Sequence, residues 1–181
     1  MSIWEDVIAV HHTCKHMPLQ HKLILTALFS GLAAAFQSAG ALFPGAGCLI
    51  SLLSTAPIIV CTIFSLPLGM LSYFLTILML FFYPSELLIF PFTTGLLGLA
   101  IGFCFLITNT RLTAGVITCL TLASGIFFVL YGLQFPLLGP VVSTSPDIRI
   151  VFGILLFSAW YGWIWLWTSH FFIKRFRNMI A

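Results

Sequence analysis

Residues 43–67 read FPGAGCLISLLSTAPIIVCTIFSLP. The segment carries no charge, and a proline or glycine stands at each place where it could turn. With Pro57 at its centre it is either a broken membrane helix or two short pieces lining a cavity. Backbone groups freed by a proline at bilayer depth need partners, and Ser51, Ser54 and Thr55 sit one turn or less before it. Function is expected near such a break.

The rest of the chain has the same character. Of 181 residues, 61% are hydrophobic and 6% are charged, where a soluble domain has about 25% charged residues. The fold class is therefore an all-α, polytopic membrane protein. At about 20 apolar residues per span the length accommodates five to seven helices and no extramembrane domain. The five cysteines form no C-x-x-C pair; Cys48, Cys61, Cys104 and Cys119 fall in apolar runs, where a thiol behaves as a small buried hydrophobe. The N-terminus carries Glu5 and Asp6 and lacks the basic-then-apolar layout of a cleaved signal peptide, so the first apolar run is expected to be retained.

In chain order, residues 1–22 read as a cytoplasmic or interfacial arm in which Trp4, Val7, Ile8 and Val10 make a turn or two of surface helix. His12 and His16, four apart, could share a metal. Without a carboxylate or thiolate beside them, a polar tail is the preferred reading, and no metal site is assigned. Residues 23–172 form the membrane domain, with spans expected at 23–43, 48–64, 67–83, 87–107, 112–135 and 150–172. Residues 173–181 are a basic tail. A five-span alternative makes spans two and three one re-entrant hairpin.

Ala27, Gly31 and Ala35 form a small-residue row on the first span, which lets another helix approach closely, within the chain or from a partner. Gly95, Gly98 and Gly102 make a second such face on the fourth. Six spans place Lys15, Lys22, Arg111, Lys174, Arg175 and Arg177 on one side and Arg149 alone on the other. By the positive-inside rule both termini are then cytoplasmic.

That orientation sorts the rare polar residues. Gln37, Glu86, Gln134, Asp147 and Arg149 fall at or beyond the outer ends of the spans, with Tyr131 a turn from Gln134. Polar groups at one mouth of an apolar bundle match the few orienting groups of a small-molecule pocket, and also match ordinary loop solvation. Trp160 and Trp163 are candidate pocket walls, Trp167 an interfacial anchor, and the 136–149 loop a lid. No H-E-x-x-H, G-x-S-x-G, P-loop or pair of intramembrane carboxylates occurs, so the chain reads as a non-enzyme without a cofactor. With no acidic residue expected inside a span, a proton or sodium relay is not expected either.

The segments KLILTALFSGLAAAF, FPGAGCLISLLSTAPIIV and TTGLLGLAIGFCF, within six spans, resemble the substrate-binding S-components of energy-coupling-factor vitamin transporters. They are also similar to YybS-type bacterial membrane proteins. The resemblance covers residues 22–107 and rests on small residues and prolines. It implies a multi-pass protein of the bacterial plasma membrane that takes up a micronutrient from outside and docks on a transmembrane coupling subunit served by two ATPases, with no nucleic-acid partner. In that family a small-residue motif on the first helix meets the coupling subunit, and Ala27, Gly31 and Ala35 occupy the matching place, Gly31 standing where alanine is usual. The family's outer pocket would correspond to Glu86, Tyr131, Gln134, Asp147, Arg149 and Trp160. The alternative is a structural membrane protein that assembles through its small-residue faces and binds no solute.

Overall fold

A computed structural model describes residue 7 and residues 17–43, 45–108, 110–135 and 148–180, the last helix with its side chains through 169 and at 171. The described residues are helical and contain no strand. Six helices follow one another: α1 Leu19–Leu42, α2 Ala46–Phe64, α3 Leu66–Phe82, α4 Pro84–Ile107, α5 Arg111–Gly132 and α6 Ile148–Ile180. Five of them are long and apolar enough to cross a membrane, and α3 is shorter.

The helix ends are set by local chemistry. Between α1 and α2 the chain turns at Gly45, whose φ of +85° is open to glycine at no steric cost. Ser65 is extended and Pro67 enters the first turn of α3, where a missing N–H costs nothing; Pro84 does the same for α4. Inside α4, Pro91 interrupts the ladder and the backbone leaves the helical region at Thr93. The break is tied down on both sides. Thr93 Oγ1 donates to the Ile89 carbonyl at 2.7 Å, and Tyr73 Oη of α3 donates to the Pro91 carbonyl at 3.1 Å. The last turn of α5 widens to a π-helix over Phe128–Gly132.

α2 and α4 pack against each other at the centre. α1 and α3 lie against α2, and α5 joins α4 to α6. The α2–α4 contact is made by the small-residue face expected on the fourth span. A Cβ on Gly98 would stand 2.8 Å from Ile58 Cβ, and one on Gly102 would overlap Thr62, so glycine is what brings these backbones together. Gly95 meets Phe90 of its own helix instead. α1 buries Thr26, Ser30, Ala33 and Gln37. Ser30 Oγ donates to Thr26 O at 2.7 Å and lies 3.0 Å from Ser72 Oγ of α3. Buried hydroxyls elsewhere bond one turn back, Thr62 to Ile58 O and Thr118 to Ala114 O, which satisfies them inside an apolar helix.

Several expectations are corrected here. Val7 is fully buried in the cluster of Ile59, Ile63, Leu97, Ile101 and Trp165, so it belongs to the core and not to a surface helix. The row Ala27, Gly31, Ala35 turns away from the bundle: both alanines are exposed, and a Cβ on Gly31 would meet open space. It makes no close helix contact among the described residues. Cys61 and Cys104 are buried as expected, but Cys48 is exposed. His11, His12, His16, Asp147 and most of the 136–149 loop lie outside the described residues.

Candidate functional site

Pro57 cannot donate to the carbonyl one turn before it, and the helix responds by tightening into a 3-10 turn over Leu52–Ser54 without breaking. α2 is thus continuous through Pro57. Of the hydroxyls before the proline, Ser51 bonds Cys48 O one turn back, while Ser54 and Thr55 reach to other helices. Tyr161 Oη of α6 donates to the Leu52 carbonyl at 2.8 Å, and with its only proton so used it accepts from Thr55 Oγ1 at 3.0 Å. Ser54 Oγ donates to Gln37 Oε1 of α1 at 2.7 Å, and Thr94 Oγ1, just past the break in α4, donates to the same oxygen at 2.9 Å.

Two hydroxyl donors on Oε1 fix the orientation of the Gln37 amide. Its Nε2 must then point the other way, and it donates to Glu86 Oε2 at 2.6 Å. Gln37 is 1% exposed and Glu86 6%. The carboxylate lies in the first turn of α4, where the helix N-terminus favours negative charge. It also lies against Gly40 of α1, on which a Cβ would stand 2.6 Å from Oε1. Two interruptions, the 3-10 turn in α2 and the break in α4, therefore converge with the polar end of α1.

Beside this cluster is a cavity of about 530 Å³, within the range of small-molecule sites. Glu86 and Gln37 form part of its wall, with Ser51, Thr93 and Thr94 nearby; its body is Leu52, Ile89, Leu122 and Ile126, closed on the α6 side by Ile150, Ile154, Phe157 and Tyr161. Such a cavity can hold a largely apolar molecule and orient it by one polar end. No group of three metal-ligating side chains occurs among the described residues.

Of the residues expected to bind ligand, Gln37 and Glu86 meet at this cavity. Asp147 lies outside the described residues, and Tyr131, Gln134, Arg149, Trp160 and Trp163 do not line it. Trp160 and Trp163 are 63% and 56% exposed and face outward. A residue further along, Tyr161 turns inward and stacks on Phe157 at 5.7 Å. Tyr131 stacks on Phe127, with its hydroxyl buried and unbonded among the described residues. Gln134 is exposed with φ +52°, and Arg149 is exposed at the start of α6. Glu86 was expected between the third and fourth spans, outside both; it is inside α4 and buried.

Gly40, Ser54, Thr94, Phe157 and Tyr161 were not singled out as site residues. Ser54 and Thr94 flank a proline break, which is the signal that could have found them. Compared with known proteins, the chain matches no family model, no curated sequence and no solved structure.

Proposed function

We propose that this protein is a membrane-embedded substrate-binding subunit for the uptake of a small micronutrient, energised by partner coupling and ATPase subunits. The observation that carries the reading is the cavity itself, a half-open apolar volume with one buried amide–carboxyl pair in its wall. A protein that only held others together would have no use for it, because a buried carboxyl in an apolar bundle is costly to retain. The absence of hydrolytic or redox motifs in the sequence suits binding rather than catalysis.

The proposed topology is six spans in a bacterial plasma membrane with both termini cytoplasmic. α3, with 14 α-helical residues and a three-residue 3-10 turn, would reach about 26 Å at about 1.5 Å per residue, close to a hydrocarbon core of about 30 Å. The cavity is built from the C-terminal parts of α1 and α5 and the N-terminal parts of α2, α4 and α6. In this topology it opens toward the outside. The outward row Ala27, Gly31, Ala35 would receive the coupling subunit.

That same row favours the second reading, a scaffold that assembles through α1 and binds no solute. Small molecules extracted from protein purified in lipid nanodiscs separate the two. One compound enriched in the wild type and absent from Gly153→Trp supports uptake, because Gly153 lines the cavity with open space beside it and the indole would fill it. No enriched compound, with a membrane partner released by Gly31→Leu, supports the scaffold.

A further inference from the structure

We infer that the cavity takes an organic cation: a molecule with a protonated amine at one end and an apolar or aromatic body, its amine on Glu86. The inference rests on the reading of the cavity as a binding site and adds the chemical class of what fills it. Glu86 is the only acidic residue among the described ones, and among those same residues no lysine, arginine or histidine lines the cavity with it. Among the described residues its one hydrogen-bond partner is the Gln37 amide on Oε2. That amide cannot turn to give more, because Ser54 and Thr94 hold its oxygen.

A fixed amide donor and a helix N-terminus give Glu86 part of what a negative charge needs, and among the described residues no positive group completes it. A carboxylate removed from water needs a charged or strongly donating partner. An ammonium group supplies both. The remaining hydroxyls around the cavity are already committed: Tyr161 to Leu52, Thr93 to Ile89, Ser51 to Cys48. The rest of the wall is aliphatic with the Phe157–Tyr161 stack, which suits the body of such a molecule. An anionic ligand would meet Glu86 with no cation to offset it, so the site discriminates by repulsion as well as attraction.

The test is equilibrium binding to the full chain in nanodiscs, with empty nanodiscs subtracted, of three probes of similar size: phenethylammonium, neutral 2-phenylethanol and anionic 3-phenylpropanoate. The expected result is saturable binding of phenethylammonium at least tenfold tighter than of the alcohol, no saturable binding of the anion, and loss of all binding in Gly153→Trp. In Glu86→Gln the preference for the amine over the alcohol should fall to about onefold; the wild-type comparison decides alone if that variant does not fold. Equal binding of amine and alcohol, both lost in Gly153→Trp, would overturn the cation inference and leave the cavity as a binding site. Absence of saturable binding by any probe would overturn both.

Discussion

Gln37 holds three helices with one amide. Its oxygen accepts from Ser54 and Thr94 and its nitrogen donates to Glu86, so Gln37→Leu leaves three buried polar groups without a partner. At about 0.6–1 kcal/mol for each bond in a membrane protein, the loss should be about 2–3 kcal/mol in an unfolding titration in mixed micelles. Ser54→Ala removes one bond and should cost less than half as much; equal losses would show that the amide is not the hub. Gly40 sets the position of the carboxylate from the other side. Gly40→Ala puts a methyl 2.6 Å from Glu86 Oε1 and should displace the carboxylate, weakening amine binding about tenfold while the protein still elutes as a folded monodisperse species. Unchanged affinity would place the amine elsewhere.

At the scale of the element, two glycines on exposed and buried faces should behave oppositely. Gly102→Leu drives a side chain into Thr62 at the α2–α4 contact, and overpacking of that kind costs about 1–3 kcal/mol or more, read as a lower melting temperature. Gly31→Leu extends into open space and should leave the melting temperature unchanged. The faces of α6 give a second contrast. Phe157→Ala should weaken ligand binding about tenfold and Trp160→Ala should leave it unchanged, because Phe157 lines the cavity and Trp160 points away from it. The reverse result would mean that α6 is rotated by about one residue, or about 100°.

That rotation marks where the sequence stops being informative. The helices were legible, because apolar runs are closed by prolines, glycines and charges: Pro67 opens α3 where expected, while Pro84 starts α4 three residues before the expected Leu87. The facing of α6 was not, since a helix between lipid and core is apolar on both sides and carries aromatics all round, so Trp160 and Tyr161 read alike. Gln37 and Glu86 were legible for the opposite reason, as rare polar residues in an apolar chain. Gly40, separated from Glu86 by 46 positions in the chain, could be found only once the helices were placed together.

At the scale of the whole molecule, the interruptions of α2 and α4, together with the polar end of α1, build a half-open cavity at one end of the bundle. The most direct test is a cryo-electron microscopy map of the protein taken from cells without added ligand, in nanodiscs and bound to a rigid antibody fragment. The account predicts compact density of small-molecule size inside the cavity, between Glu86 and Phe157, that is absent from Gly153→Trp. A cavity collapsed by inward movement of α6, or filled by an acyl chain continuous with the surrounding bilayer, would contradict it.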